Sequence, residues 1–210
     1  MNIVTVGIAG GSGSGKTTLA RELVERLGAS RVVVVMHDAY YKDLSFLPFE
    51  ERAAANFDHP DALDTALCAR HIRDLRAGRT VEQPVYDFAS HTRTLQVLRI
   101  EPKPVVILDG ILILAEPALR ELLDIRVFVE AGEKTRFERR LARDTRERGR
   151  TPASVFRQWR ETVQPMYERF VEPSRPYAHV ILPFETANPV GVDILAAFIS
   201  LRAFPRAAEH

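Results

Sequence analysis

The chain has 210 residues, of which 46% are apolar and 27% charged, a composition typical of a globular protein with a sizeable core. Its net charge of +1 argues against a global field that would recruit nucleic acid or a membrane surface, and no apolar stretch approaches the roughly 20 residues needed to span a bilayer. The single cysteine, Cys68, excludes an internal disulfide and favours a cytoplasmic location.

The first predicted element is a buried strand over residues 3–9, which leads through a glycine-rich loop into a helix over residues 18–27. The loop reads GGSGSGKT, the pattern of a phosphate-binding P-loop. Its glycines let backbone N–H groups converge on a phosphate chain, and the helix N-terminus adds partial positive charge. Lys16 is expected to reach the β- and γ-phosphates, and the Thr17 hydroxyl to coordinate Mg²⁺. The predicted phosphate-binding residues are Gly10, Gly11, Ser12, Gly13, Ser14, Gly15, Lys16, Thr17 and Thr18.

A second strand is predicted over residues 31–36, and Asp38 follows it closely. Ligands of open α/β sheets bind at the carboxyl ends of the strands, so Asp38 is expected beside the P-loop. There its carboxylate could orient an alcohol and accept its proton during phosphoryl transfer. From the residues alone, a turn-stabilising role for Asp38 is an equally good interpretation.

The next segment places an aromatic ring beside a carboxylate, at Phe57 and Asp58. A carboxylate can accept two hydrogen bonds from a sugar diol. A helical pattern follows over residues 61–77, and Asp61 is predicted to be its N-cap.

Two stretches of β type, at residues 80–86 and 92–100, predict a hairpin outside the main sheet. Tyr86 offers an aromatic face for a base and His91 an imidazole. Hairpin packing explains Tyr86 equally well, and a solvated turn explains His91, because spacing alone does not decide between these interpretations.

An apolar run at residues 104–108 ends at Asp109 and Gly110. This is the Walker-B pattern, in which a strand carries an acid to the Mg²⁺ near a P-loop. Because the same chain contains a P-loop, magnesium binding by Asp109 is favoured over a simple Asp-Gly turn.

A further strand is predicted at residues 125–129, and the helical segment 133–150 after it has eight basic and four acidic side chains, a net charge of +4. Such a run is usually a solvated helix face, and a stripe that binds nucleic acid is another option. Beside a P-loop, a lid that closes guanidinium groups over phosphates is the better interpretation.

Spacing within this segment predicts three i,i+4 ion pairs, Arg140–Asp144, Arg143–Glu147 and Asp144–Arg148. No local partner is evident for Arg136, Arg139, Arg146 and Arg150. One helical stripe is predicted to carry Arg139, Arg143, Arg146 and Arg150.

The chain then predicts a helix over residues 151–171 with Thr151 as N-cap, a strand at 180–182, and a last helix that opens at Asn188-Pro189. Alternating buried strands and helices indicate an α/β fold of the P-loop NTPase type. We expect a three-layer sandwich with a parallel sheet, an inserted β-hairpin and an Arg-rich helical lid.

Six strings of this sequence together resemble the uridine kinase (uridine–cytidine kinase) family. They are GGSGSGKTT, HDAYYKDL, NFDHPDALD, PVYDFxxHTR, RxxRRxxRDxxERGR and FVEPSRxYAHVILP, and they run in order from residue 10 to residue 183. The resemblance implies phosphorylation of the 5′-hydroxyl of uridine and cytidine with ATP (or GTP) and Mg²⁺, in pyrimidine salvage. It implies one kinase domain over residues 1–210, with a nucleoside-binding insert at about 56–100 and a lid at about 133–150.

The resemblance also implies a role for each matching residue. Asp38 would be the base for the 5′-hydroxyl, and Asp58 the ribose carboxylate with Phe57 beside the nucleoside. Arg140 would be a second ribose ligand. The base contacts would be Tyr86, His91 and Gln158. The lid groups near the phosphates would be Arg143, Arg148 and Arg150.

One position departs from the family pattern, because the family usually has Glu before the strand-end glycine and this chain has Asp109. The shorter side chain keeps magnesium binding plausible and shifts its geometry.

The resemblance further implies a nucleoside as small-molecule partner, no nucleic acid or membrane partner, and a homo-oligomer, often a tetramer. The alternatives are a P-loop kinase of another small alcohol (a sugar phosphate or pantothenate), a cytidine-only kinase, and a nucleotide-dependent nucleic-acid binder.

Overall fold

The computed structural model describes residues 3–205, arranged as strands and helices that alternate along the chain. The strands are β1 (Val4–Ala9), β2 (Val32–Met36), β3 (Val81–Asp87), β4 (Thr92–Ile100), β5 (Val105–Asp109), β6 (Ile125–Glu130) and β7 (Val180–Pro183). The α-helices are α1 (Lys16–Leu27), α2 (Phe49–Ala54), α3 (Thr65–Arg76), α4 (Pro117–Arg120), α5 (Glu133–Glu147), α6 (Pro152–Gln158), α7 (Gln164–Met166) and α8 (Pro189–Ala203). None of the helices within this range is long and apolar enough to cross a membrane.

The main sheet is parallel throughout, with the strand order β2-β5-β1-β6-β7. Strands β1 and β5 lie at its centre and are buried along their whole length, as their continuous apolar runs predict. The register pairs Ile8 with Asp109 and Met36 with Asp109. The carboxyl ends of three neighbouring strands therefore meet at one edge of the sheet, which is the ligand-binding edge of such folds.

Apolar side chains cover both faces of this sheet. One core contains Leu19 and Leu23 of α1 together with Leu195 of α8. The other contains Ile72 and Leu75 of α3. The predicted three-layer α/β sandwich is thus confirmed.

Strands β3 and β4 form an antiparallel hairpin outside the main sheet, as predicted. The register shifts between Pro84 and Tyr86, where Pro84 has no N–H to donate to the ladder. On β4, Leu95 is fully exposed and Val97 is half exposed. The hairpin therefore keeps an apolar outer face in contact with solvent.

The prediction that Asp61 caps the third helix is wrong. The cap is Asp64, whose Oδ1 accepts a hydrogen bond from the Leu67 N–H at 3.1 Å. A separate 3₁₀ turn, Pro60–Ala62, precedes the helix, and the chain is then extended at Leu63, which forms a bridge with Tyr41, while the Asp64 N–H donates to the Tyr40 carbonyl. These tertiary hydrogen bonds hold residue 63 out of the helix.

The remaining N-caps agree with prediction. The Thr151 hydroxyl accepts from the Ser154 N–H at 3.2 Å, and Asn188 accepts from the Gly191 N–H at 3.0 Å. The helix predicted over residues 151–171 is irregular, because two π-helical turns, Trp159–Val163 and Tyr167–Val171, flank α7. Pro165 lies in α7 and cannot donate a helical hydrogen bond, which disturbs the regular ladder.

Candidate active site

A cavity of about 570 Å³ opens at the carboxyl edge of the sheet. Its volume falls within the range of small-molecule sites. Most of the predicted site residues line it: Ser12, Lys16, Thr17, Asp38, Phe57, Asp58, His91, Asp109, Arg140, Arg143, Arg148, Arg150 and Gln158.

The loop at one end of the cavity has backbone conformations that only glycine adopts easily. Gly10, Gly13 and Gly15 have φ values of 137°, 79° and 107°. At Gly13 a Cβ atom would also collide with the carbonyl of Arg136, which lies against the loop. The loop runs directly into α1, whose first residue is Lys16. This is the strand–loop–helix context that the P-loop motif requires.

The polar groups of this loop fit a polyphosphate. The Lys16 Nζ donates to the Gly11 carbonyl at 2.9 Å, and the buried Ser14 hydroxyl has no hydrogen-bond partner among the described residues. Burial lowers the pKa of Lys16, while the carboxylates of Asp109 and Asp38 raise it. A polyphosphate would supply the negative charge that stabilises this buried ammonium group.

Thr17 and Asp109 present adjacent oxygen atoms beside the loop. The Thr17 hydroxyl donates to Asp109 Oδ2 at 2.7 Å, so the shorter side chain at position 109 still reaches its partner. Burial raises the pKa of Asp109, and the Lys16 charge and the Thr17 hydrogen bond lower it. A hydroxyl and a carboxylate are hard oxygen ligands, which fit Mg²⁺ bound jointly by protein and phosphates.

Asp38 faces the same cavity from a short 3₁₀ turn, His37–Tyr40, that follows β2. The register of β2 on β5 brings this turn next to Asp109. The Asp38 carboxylate is half-buried and accepts no hydrogen bond from any described residue. It is therefore free to accept a hydrogen bond from a ligand.

The other part of the cavity combines aromatic rings with a carboxylate. Phe57 and His91 stack with ring centroids 5.3 Å apart and an interplanar angle of 17°. His91 is buried at a φ of 55°, so the solvated-turn interpretation is wrong. Burial and the charge of Arg150 lower the pKa of His91, which keeps the imidazole neutral at pH 7. A neutral imidazole has one donor and one acceptor nitrogen.

Asp58 is buried beside these rings, with its N–H donating to Asn56 Oδ1 at 3.2 Å. Burial raises the pKa of Asp58, and the nearby Arg140 charge lowers it. The Arg140 guanidinium donates to the Ser12 hydroxyl at 2.9 Å and to Gln158 Oε1 at 3.4 Å. Arg140 thus links the P-loop to the part of the cavity that holds Asp58.

Tyr86 occupies a different place from the other predicted base contacts. It is buried behind Tyr41 and Phe57, at centroid distances of 5.1 and 6.2 Å, and does not line the cavity. Its hydroxyl has no partner among residues 3–205, and burial raises its pKa. The hairpin residues that do line the cavity are Phe88 and His91, which lie in the turn between β3 and β4.

Residues 5–190 match the phosphoribulokinase / uridine kinase family. The chain belongs to this family. It is 50% identical over 204 residues to the uridine kinase of Chloroflexus aurantiacus, covering 96% of this chain and 98% of that one. It is 47% identical over 192 residues to the uridine kinase of Ligilactobacillus salivarius, covering 91% and 90%.

Solved structures of P-loop kinases share the fold. The phosphoribulokinase of Rhodobacter spheroides superposes with a TM-score of 0.63 at 12% identity, over 87% of this chain and 70% of that one. The D-glycerate 3-kinase of Cryptococcus neoformans superposes with a TM-score of 0.58 at 17% identity, over 80% and 79%. At these identities the likeness concerns the architecture alone.

In this family member, four of the seven arginines of segment 133–150 converge on one carboxylate. Asp144 is fully buried, and its oxygens lie within 4 Å of four guanidinium groups. The distances are 3.4 Å to Arg140, 2.8 Å to Arg143, 3.8 Å to Arg148 and 3.0 Å to Arg150. We call these five residues the Asp144 cluster.

The cluster corrects two sequence expectations. Arg143 pairs with Asp144 rather than with Glu147, and Arg150 finds partners in Asp144 and in Gln158 Oε1 at 2.8 Å. The predicted single stripe holds only for Arg139, Arg143 and Arg146, because α5 ends at Glu147; of these three, Arg146 is exposed. Position 150 lies beyond the end of α5, and the chain turns back there, so helical periodicity no longer places it.

Replacing Asp144 with asparagine is expected to destabilise the protein by about 3 kcal/mol at pH 7, because four guanidinium groups lose their buried counter-charge. Burial alone would raise the pKa of Asp144, but the charges of Arg140, Arg143 and Arg148 outweigh it and lower the pKa. Because its pKa is lower in the folded than in the unfolded protein, ionised Asp144 stabilises the folded state at pH values above the unfolded-state pKa. This stabilisation is lost as the pH falls through the folded-state pKa.

The difference in unfolding free energy between wild type and Asp144→Asn, measured with urea, should therefore be largest near neutral pH and shrink below about pH 4. Glu147→Gln is the matched control, because Glu147 is exposed and unpaired with Arg143. Equal unfolding free energies for both variants at pH 7 would contradict the role assigned to the cluster.

Sequence reasoning assigned no site role to three residues that contribute to the site, Tyr41, Phe88 and Arg139. Tyr41 lines the cavity and packs on Phe57 at 5.3 Å, and the Arg148 guanidinium lies 4.4 Å from the centre of the Phe88 ring. Arg139 donates to the Ser14 carbonyl at 3.1 Å and thereby ties α5 to the P-loop. The aromatic pattern at residues 40–41 and 86–88 was the available signal, but it does not say which rings face a ligand.

Proposed function

We propose that this protein transfers the γ-phosphoryl group of ATP to the 5′-hydroxyl of uridine and cytidine. The observation that carries the proposal is that one cavity contains Lys16, Asp38, Asp58 and His91. Phosphate-binding, proton-accepting, diol-binding and base-binding groups are thus available to one pair of substrates. Relatives called uridine kinase at 47–50% identity over nearly the whole chain support the same substrate class.

The P-loop would bind the triphosphate, with Lys16 on its terminal phosphates and Thr17 and Asp109 holding Mg²⁺. Bound Mg²⁺ neutralises phosphate charge and orients the transferring group. Arg143, Arg148 and Arg150 reach the cavity from the Asp144 cluster and would stabilise the charge on the equatorial oxygens during transfer. Asp144 holds them in position, which reduces the reorganisation needed when the substrates bind.

Asp38 would act on the acceptor. Its carboxylate accepts the proton of the 5′-hydroxyl while the hydroxyl oxygen forms a bond to the γ-phosphorus and the bond to the bridging oxygen of ADP breaks. The products are ADP and a nucleoside 5′-monophosphate. A carboxylate without protein hydrogen-bond partners suits this role, because no existing bond must first be broken.

Asp58 and Arg140 would hold the ribose, since a buried carboxylate can accept from both hydroxyls of a diol and a guanidinium can donate to one. Phe57 would contact the nucleoside, and His91, with Gln158, would bind the base edge. The proposed base contact through Tyr86 is indirect, because Tyr86 supports Phe57 and Tyr41 from behind.

His91→Ala is expected to lower kcat/KM for uridine and for cytidine by roughly 5- to 150-fold, because an unsatisfied buried base edge costs about 1–3 kcal/mol. Both pyrimidines should be affected, since a neutral imidazole can satisfy either a 4-oxo or a 4-amino group through its two nitrogens. The measurement is a coupled kinase assay with four ribonucleosides, ribulose 5-phosphate and pantothenate. Wild-type turnover only with the last two acceptors would overturn the nucleoside proposal.

Arg143→Lys is expected to lower kcat by at least tenfold, because lysine lacks the planar fork that can bind a carboxylate and a phosphate together. Arg146→Lys is the matched control on the same helix, since Arg146 is exposed and does not line the cavity. Steady-state assays of the two variants decide the question. Equal, unreduced kcat values would leave segment 133–150 as a structural helix rather than a lid.

A further inference from the structure

The Arg148 guanidinium differs from the other three of the Asp144 cluster in its hydrogen bonds. Arg143 and Arg150 donate to Asp144 at 2.8 and 3.0 Å, and Arg140 donates to the P-loop at 2.9 Å. Arg148 approaches Asp144 only to 3.8 Å, and its guanidinium donates no hydrogen bond to any residue in the range 3–205. Its N–H groups are therefore available to a ligand in the cavity that it lines.

An aromatic ring holds this guanidinium instead. The Arg148 Cζ lies over the Phe88 ring, 4.4 Å from the ring centroid. A ring face attracts a cation through its negative quadrupole. Unlike a carboxylate, the ring does not take up the N–H donors or cancel the charge. The contact thus fixes Arg148 and leaves it able to bind an anion.

The other surroundings of Arg148 disfavour a cation. Burial and the neighbouring charge of Arg143 lower the pKa of Arg148, and the charge of Asp144 raises it. That one carboxylate is shared among four guanidinium groups. The attraction of a ring is strongest where water is excluded, and the Arg148 side chain is only 19% exposed.

Phe88 is itself fixed by the hairpin that carries it. It lies in the turn between β3 and β4, which also contains His91. Its ring packs edge-on against Tyr86 and Tyr41, at centroid distances of 5.3 and 6.5 Å. The ring therefore has a defined position without any ligand.

We propose that Phe88 is a positioning residue for Arg148: its ring holds the guanidinium towards the transferring phosphoryl group, whose oxygens then receive the free N–H groups. The inference rests on the proposed function, in which Arg148 stabilises the charge on those oxygens. It gives the hairpin turn two roles, because the same turn presents His91 to the acceptor and Phe88 to a phosphate-binding arginine.

The first test compares variants that keep or lose the ring face. Phe88→Leu should lower kcat roughly tenfold and leave KM for uridine within about twofold, because the lost attraction acts on the arginine and not on the nucleoside. Phe88→Tyr keeps a ring face and should recover most of that loss. The matched control is Phe204→Leu, which removes a ring 4.9 Å from the Arg31 Cζ. Arg31 directly precedes β2, at the opposite edge of the sheet, so this control should keep wild-type kcat.

Three results of this comparison contradict the proposal. A higher KM for uridine at unchanged kcat would make Phe88 a nucleoside contact. Unchanged kcat and KM in Phe88→Leu would make it a packing residue. An equal loss of kcat in Phe88→Leu and Phe88→Tyr would show that the ring face is not what matters.

The attraction itself is tested by replacing Phe88 with mono-, di- and trifluorinated phenylalanine. Fluorine atoms weaken the negative ring face stepwise while the ring keeps nearly the same shape, so kcat should fall stepwise. In an Arg148→Met background the same series should cause no further fall. A kcat that is independent of fluorination, or an equal fall in both backgrounds, overturns the proposal.

Failure of the proposed function gives a different result. Wild-type protein that phosphorylates neither uridine nor cytidine contradicts that function, and the fluorinated series is then measured with the acceptor that the wild type does use or, without one, as ATP hydrolysis. Normal turnover of uridine by wild type, combined with a kcat that is independent of fluorination, contradicts only the role of Phe88.

Discussion

Lys16→Ala is expected to reduce kcat by about 10³-fold or more while leaving the fold intact, because Lys16 supplies positive charge where phosphate charge moves during transfer. The ammonium group is buried in the P-loop and bonded to the Gly11 carbonyl, so it is already oriented towards the phosphate site before substrates bind. The measurement is steady-state kcat with ATP and uridine, accompanied by a thermal melt.

The control is Lys134→Ala, which removes an ammonium group that is 89% exposed at the start of α5. It should keep wild-type kcat. A folded Lys16→Ala protein with a kcat close to that of the control would remove the P-loop lysine from the mechanism. A large rise in KM for ATP at unchanged kcat would assign Lys16 to ground-state binding alone.

Asp38→Asn is expected to lower kcat by about 10²-fold or more, with a much smaller change in KM for the nucleoside. The amide keeps the shape of the side chain and its ability to accept a hydrogen bond, but it cannot take a proton. Because the Asp38 carboxylate accepts no hydrogen bond from the described residues, its removal breaks no structural contact. The effect should therefore appear in the chemical step and not in the stability.

Single-turnover measurements separate that step from product release, and Asp61→Asn serves as the control because its side chain is 91% exposed in the neighbouring turn. A normal single-turnover rate for Asp38→Asn would reduce Asp38 to a turn residue, the interpretation that the sequence left open. The two predictions address different substrates, since Lys16 acts on the donor and Asp38 on the acceptor.

The main features of the fold could be predicted because they depend on local patterns. Continuous apolar runs predict strands of a buried parallel sheet, β1 and β5 among them, and the P-loop motif predicts the turn into α1. The caps at Thr151 and Asn188 are read from three or four adjacent residues. Each of these features is decided by residues close together in the chain, so no knowledge of the packing is needed.

The details of the site could be predicted only in part. Motif residues such as Asp38 and Asp58 do line one cavity, but their roles remain predictions. The sequence did not show that Phe88, rather than Tyr86, faces that cavity, because Tyr86 belongs to β3 whereas Phe88 lies past the end of the strand, in the hairpin turn. The alternation of side chains along a strand no longer gives the direction of a side chain in a turn.

By itself, the sequence determined the α/β class, the order of the strands and motifs along the chain, and the phosphate-binding loop, because periodicity and loop chemistry act over a few neighbouring residues. Only the tertiary structure decided that four arginines share Asp144, that Asp64 rather than Asp61 caps α3, and that one side of the apolar helix α8 stays uncovered. Each of these depends on which distant segments come together. Ion-pair partners, helix starts and exposed faces are selected by packing, and packing minimises the free energy of the whole chain rather than of any one segment.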